Sequence, residues 1–201
     1  MNNNAIFKSE TGEEFTIEKT FDKFAENPRL DFYHFSHFFT FERQYCSPDA
    51  HHYISAADWA DENGFSLGNN PNDLISSMER KGFVALPVWR YEHSVVAYQA
   101  AMNNPFHCPW DSGMVGIIYA SKDEIRKEYK VNRVSSKLIG QVLSLFCSEV
   151  ESFSSYANGD VYLFSMIDNE GNLVESVGGV YLDDDLSDES FIKSYWNLTP
   201  A

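Results

Sequence analysis

The chain has 201 residues and a mass of 23.0 kDa, which suits one domain, and 43% hydrophobic residues are enough to build a core. The formal net charge of -15, from 30 acidic and 15 basic residues, argues against direct binding to nucleic acid. There is no apolar run of about 18 residues and no secretory signal at the N-terminus, so we expect no membrane span and a location in the cytoplasm.

The N-terminal segment, residues 1–18, is polar and is predicted to be a flexible tail or a short strand around Ile6 and Phe7. Residues 19–201 are predicted to form a single domain. Its first prominent feature is the aromatic run LDFYHFSHFFTFERQY, residues 30–45. Aromatic residues favour strands, and rings at both alternating positions predict a central strand that is covered on both sides.

Two helices are predicted next in chain order. The first covers residues 56–62, within a segment rich in turn residues. The second covers residues 74–81, with Asn72 or Asp73 as its N-cap and Gly82 at its end.

The middle of the chain predicts three strands and a helix. Strands at 83–91 and 94–100 are close enough to form a hairpin, in which Pro87 must lie at an edge or a bulge. A third strand covers residues 114–120. Ser121 and Glu124 then form a capping-box pattern for a short helix.

The C-terminal part predicts a long amphipathic helix at 136–155, a hairpin of strands 160–168 and 173–183, and a last helix capped by Ser187 or Asp188. The doubled glycine at 178–179 predicts a bulge or a close packing contact. Hairpins mixed with separate helices indicate an α+β fold, in which helices pack on a mainly antiparallel sheet.

The stretch PFHCPWDSG, residues 105–113, contains the candidate catalytic residues. Cys108 is a candidate nucleophile, and His93, His107 and Asp111 are candidate partners that would make the chain a small hydrolase or a metal-dependent enzyme.

The same stretch has a structural interpretation, which the sequence favours. As a turn, it would use Asp111 for an Asx-type hydrogen bond, Gly113 for a positive φ and Trp110 for packing. In this interpretation the chain has no catalytic residue.

Metal and cofactor binding have little support in the sequence. Cys46, His51 and His52 form the best candidate cluster, but their spacing matches no recognised zinc or iron pattern. The three cysteines include no CxxC pair, and neither a P-loop nor a GxGxxG motif is present. We expect no cofactor.

The acidic residues are concentrated towards the C-terminus. Between Leu138 and Ile192 there are eleven acidic residues and no Lys or Arg. Such a surface can serve solubility, or it can dock on a basic surface of another protein. The candidate binding residues are Asp183, Asp184, Asp185, Asp188 and Glu189.

Several motifs resemble an uncharacterised family of accessory proteins encoded by bacteriophages and plasmids. They are ENPR (26–29), ERQY (42–45), LPVWRYEHS (86–94), PFHCPWDSGMVGIIYASKDEIRKEY (105–129) and GDVY (159–162), which together cover about half the chain. The chain departs from the family pattern at Val95, where a glycine is usual, and at residues 46–49, where Leu-Gly-Asp is usual. The resemblance implies a setting and carries over no catalytic residue.

These observations lead to a functional hypothesis and its rivals. The chain is expected to be an accessory protein of a phage or mobile element that binds a basic host protein in the host cytoplasm. Its most concrete form is inhibition of a nucleic-acid-handling defence system, of the anti-CRISPR or anti-restriction type. The enzyme centred on His93, His107, Cys108 and Asp111 is the alternative, and a homo-oligomeric structural protein also stays open.

Overall fold

A computed structural model describes residues 3–43, 47–49, 54–182 and 187–201. The chain divides into two compact units. The terminal unit combines Met1–Glu26 with Gly159–Ala201, and the central unit is Asn27–Asn158. Among the described helices, none has the length and apolar character that crossing a membrane requires.

The described residues contain nine strands and six helices. The strands are β1 (Asn3–Lys8), β2 (Glu14–Phe21), β3 (His37–Thr40), β4 (Phe83–Glu92), β5 (Val96–Ala100), β6 (Ser112–Ser121), β7 (Tyr162–Ile167), β8 (Leu173–Val180) and β9 (Thr199–Pro200). The helices are α1 (Pro28–Asp31), α2 (Ala56–Glu62), α3 (Pro71–Arg80), α4 (Lys122–Tyr129), α5 (Ser136–Asn158) and α6 (Asp188–Trp196). The predicted α+β class with mainly antiparallel sheet is confirmed.

The terminal unit is built on a five-stranded antiparallel sheet in the order β8-β7-β2-β1-β9. Alternating apolar residues of β1, β2 and β7 point to one face, where Phe7, Ile17 and Phe164 are buried. Ile192 of α6 and Leu198 after it complete this core. The N-terminal segment, predicted as a tail or a short strand, contains β1 and part of β2.

The central unit is built on a four-stranded antiparallel sheet in the order β3-β6-β4-β5. One face packs against α5, through residues such as Val142 and Phe146. The other face packs against α2 and α3, through Trp59 and Leu74. The sheet is therefore covered on both faces.

The strand within the aromatic run is covered on both sides as predicted, but it is not central, and Phe32 and Tyr33 before it are exposed. Phe38 packs in the cluster that contains α5, and Phe39 packs against the opposite cluster. The strand spans only His37–Thr40 and lies at the sheet edge. It starts late because Asn27 caps α1 and Pro28 opens it, which makes residues 28–31 helical.

The helix caps show where local sequence is decisive. The capping box of Ser121 and Glu124 at α4 is confirmed. The cap predicted for α3, Asn72 or Asp73, is wrong: Asn70 is the N-cap, because Pro71 can open the helix and Asp73 then closes a capping box. Ser187 is the N-cap of α6.

Pro87 and the glycine pair at 178–179 lie at or next to irregularities in the strand pairing. Pro87 lies in the central strand β4, where its carbonyl accepts from the Ala101 amide just beyond the end of β5. The register between β4 and β6 shifts at Val88/Trp89, next to the proline. The predicted irregularity at Gly178 and Gly179 is a register shift between β7 and β8.

Candidate interaction surface

Acidic residues are unequally divided between the two units. The terminal unit contains fifteen acidic and four basic residues, whereas the central unit contains fifteen acidic and eleven basic residues. None of the described acidic residues of the terminal unit is buried. Two of its lysines form ion pairs, Lys8 with Glu14 and Lys19 with Asp188. The terminal unit therefore presents a strongly negative surface.

The start of α6 contains two of the predicted binding residues. Asp188 and Glu189 lie in the first turn, where carboxylates are favoured by the helix dipole. The Asp188 carboxylate accepts from Lys19 Nζ at 2.7 Å, and that ammonium also lies 4.1 Å from the centre of the Tyr162 ring. Glu189 is exposed. Glu189 is thus available to a partner, whereas Asp188 is already paired within the unit.

The other predicted binding residues, Asp183, Asp184 and Asp185, lie outside the described residues. By sequence they follow β8 directly and precede α6, so they belong to the same acidic unit.

The turn between β7 and β8 adds a further carboxylate. Asp168 accepts from the backbone amides of Glu170 and Asn172 at 2.9 and 2.8 Å. These bonds, with that from the Asn172 side chain, lower the pKa of Asp168. The carboxylate therefore remains ionised at neutral pH, and it orders the turn next to exposed Glu170.

The loop before β6 brings two of the predicted catalytic residues together. Cys108 Sγ lies 3.1 Å from Asp111 Oδ2, and the thiol donates to that carboxylate. Ser112 Oγ donates to the Cys108 carbonyl at 2.6 Å and accepts from Asn104 Nδ2 at 2.9 Å. These bonds close the loop on itself.

The predicted histidines do not join Cys108. His93 and His107 are both exposed, and within the described part of the chain neither imidazole hydrogen-bonds to the thiol. A cysteine nucleophile is usually activated by an imidazole or a cation that stabilises its thiolate, whereas the group here is an anionic carboxylate. The loop therefore has the character of a closed turn.

Two details predicted for this turn are wrong. Trp110 does not pack, since it is 93% exposed. Gly113 lies in β6 and does not have a positive φ, because the strand has already begun at Ser112. Asp111 accepts from the thiol, and its backbone carbonyl accepts from the Glu92 amide.

The predicted metal ligands Cys46, His51 and His52 lie outside the described residues. Within the ranges that are described, no group of three or more His, Cys, Asp or Glu side chains could hold a metal ion.

Sequence reasoning missed a buried ionic network in the central unit. The Arg29 side chain is only 1% exposed and donates to Asp49 Oδ1 at 2.8 Å and to Glu149 Oε2 at 2.7 Å. Ser36 and His34 also contact the Glu149 carboxylate. The network ties the segment around β3 to α5, a structural role. The signal for it was the basic residue in ENPR, directly before the aromatic run.

A second missed cluster lies on the α5 face of the central sheet. Arg90 pairs with Glu42 at 2.6 Å and with Glu92 at 3.1 Å. Burial raises the pKa of Glu42, and Glu92 adds to the rise, whereas Arg90 and a hydrogen bond from Tyr98 oppose it. The cluster pairs one basic residue with two acidic residues inside the central unit.

Comparison with known proteins returns no relative: no family model matches the chain, and no curated protein or solved structure matches it either. Function is therefore argued from the surface itself.

Proposed function

We propose that this chain is a binding protein whose terminal unit docks on a basic surface of another protein. The observation that carries the proposal is the segregation of charge, with fifteen acidic and four basic residues in the terminal unit. A surface of one sign accelerates association with a surface of the opposite sign and makes it sensitive to salt.

The resemblance of the chain to phage and plasmid accessory proteins supports a setting for this binding. In that setting the partner is a host protein that handles nucleic acid, and the carboxylates occupy the channel in which phosphates bind. Binding of this kind would inhibit a defence system of the anti-CRISPR or anti-restriction type. Basic channels recognise phosphate largely by charge, so a carboxylate surface can compete for them.

The enzyme alternative has one observation in its favour, the contact between Cys108 and Asp111. It would require an imidazole or a cation beside the thiol to stabilise the thiolate, whereas the described neighbour of the thiol is the anionic Asp111 carboxylate. Binding through the acidic unit is therefore the better-supported function.

The test is a pull-down from bacterial lysate at low and high salt, with matched charge reversals. The test variant carries Asp184→Lys, Asp185→Lys and Glu189→Lys in the terminal unit. The control variant carries Asp61→Lys, Glu62→Lys and Glu79→Lys, which make the same charge change in the central unit, where these three side chains are exposed.

We expect a captured protein that is lost at high salt, lost with the terminal-unit variant and retained with the control variant. Its affinity is then measured with both purified proteins, and duplex DNA is added as a competitor. Equal binding by the two variants would contradict the proposal, because the position of the charges would then not matter.

A further inference from the structure

The strand β8 forms one edge of the sheet in the terminal unit. It has eight residues, and all of them except Val177 and Val180 are exposed. Leu173 and Val174 are 63% and 51% exposed. The strand has no Lys and no Pro, two residues that proteins place on edges to prevent pairing. Its outer backbone is thus open within the described part of the chain.

The other edge strands of the two sheets are short or closed by side chains, and within the described residues β9 leaves the start of β1 uncovered. The opposite edge of the same sheet, β9, has two residues, one of which is Pro200. The edge strand β5 is closed by α5: Ser154 Oγ accepts from the Tyr98 amide at 2.8 Å, and Asn158 Oδ1 accepts from the Val96 amide at 3.2 Å.

The edge strand β3 is closed by a side chain as well. Asp49 Oδ2 accepts from the Phe38 amide at 2.7 Å, and the Asp49 amide donates to the Phe38 carbonyl at 3.3 Å. Arg29 holds the Asp49 carboxylate in place. The contrast makes the open edge at β8 a specific feature of the terminal unit.

Two register shifts limit the length of this edge. One lies at Val174, opposite Met166/Ile167, and the other lies at Gly178 and Gly179. Bulges increase local twist and so shorten the run that a flat partner strand can follow. Glu175–Val177 lies between the two shifts, and with Leu173 and the bulged Val174 before it the edge offers about five residues to a partner strand.

We propose that β8 is the docking edge of the terminal unit, and that it accepts a short extended segment of the partner protein that is rich in lysine and arginine. This inference rests on the proposed function. The charge next to the edge comes from Asp168, Glu170 and Glu175, and Lys193 is the only basic residue between 159 and 201. Aliphatic parts of the partner's lysines or arginines would cover Leu173 and Val174.

The same charges disfavour a second copy of the chain as the occupant. Pairing of two β8 strands would bring together two terminal units that each contain fifteen acidic and four basic residues. Like charges that face one another across strands are destabilising.

The probe is a fluorescent peptide of about ten residues in which Lys or Arg alternates with Val or Thr. A matched peptide carries the same side chains with N-methyl groups on all amides of its central five residues, which removes the donors of both strand edges and keeps the charge. Binding to the full chain is followed by fluorescence anisotropy at low salt. The protein variants are Val174→Lys and, as a control in the central unit, Val131→Lys, each at an exposed valine.

We expect binding of the unmodified peptide, and a loss of about tenfold in affinity for the N-methylated peptide or for Val174→Lys. Val131→Lys should bind like the parent protein. Thermal unfolding of both variants shows that the fold is intact.

Equal affinity for the two peptides would overturn the docking edge and leave charge-driven binding, and so the proposed function, standing. Failure of the peptide to bind while the lysate partner still depends on the terminal-unit acids would overturn the edge in the same way. A dimer of the parent protein that Val174→Lys dissociates would also overturn it, since a second copy would then be the occupant.

Discussion

The two sheets of the molecule treat their edges and their charges in opposite ways. In the central unit, side chains from Asp49, Ser154 and Asn158 satisfy the backbone of both edge strands, and basic residues pair with acids inside the unit. In the terminal unit, β8 is open within the described residues and none of the described acidic residues is buried. Closed edges and paired charges stabilise a fold, whereas open edges and unbalanced charges are available to a partner. On this ground we propose that the central unit contributes stability and the terminal unit recognition.

The largest effect is expected from breaking the ionic network of the central unit. Arg29→Met should lower the free energy of unfolding by about 3–5 kcal/mol, because it leaves the buried Glu149 carboxylate without its guanidinium partner. Urea denaturation measures the loss, and hydrogen exchange at the Phe38 amide reports the edge that Asp49 closes. Arg133→Met, at an exposed site in the same unit, is the control. Equal stability of the two variants would show that the network does not stabilise the unit.

A smaller loss is expected when the β5 edge is opened. Ser154→Ala leaves the Tyr98 amide without its acceptor and should cost about 1–3 kcal/mol. Hydrogen exchange at Tyr98 should become faster. Ser148→Ala is the matched control, since its hydroxyl is exposed and bonds only within α5. If exchange at Tyr98 is the same in both variants, Ser154 does not close this edge.

The contact that ties β3 to α4 should depend on pH. Burial alone would raise the pKa of Glu124, but hydrogen bonds from His37 and Ser121 outweigh it and lower the pKa. A lowered pKa means that the stabilisation is present above the ordinary pKa of glutamic acid and is lost as pH falls through the lower, folded-state value. Denaturation at a series of pH values should show this loss for the parent protein, and Glu124→Gln should flatten it. An unchanged acid limb in the variant would assign the loss to other carboxylates.

The parts of the fold that could be predicted from sequence are those determined by residues close to one another in the chain. Ser121 with Glu124, Ser187 before α6 and the glycine pair at 178–179 are decided by neighbours within a few residues, and these predictions are confirmed. The edge position of β3 depends on a helix start at Pro28 that the aromatic run conceals.

The interactions that could not be predicted from sequence join residues that are far apart in the chain. Arg29 and Glu149 are 120 positions apart, and no local pattern joins them. Likewise, only the fold shows that residues 1–26 and 159–201 form one unit, and therefore that the acidic C-terminal part has its own sheet. The acidic bias itself was visible in the sequence, but the open edge beside it was not.

The smallest effect on stability is expected at the open edge. Val174→Lys should change the free energy of unfolding by no more than about 0.5 kcal/mol, because the side chain is 51% exposed and is not part of the hydrophobic core of the terminal unit. Urea denaturation checks this value. A loss comparable to that of Ser154→Ala would mean that β8 contributes to stability as the closed edges do. The two units would then not differ in the role of their edge strands.

The most direct test of the division between the units is hydrogen exchange of the full chain, with and without the basic peptide probe. We predict slower exchange across Leu173–Val177 and in the adjacent turn, and unchanged exchange throughout Asn27–Asn158. Protection confined to the central unit would contradict the account, because recognition would then belong to the unit whose edges and charges are already satisfied.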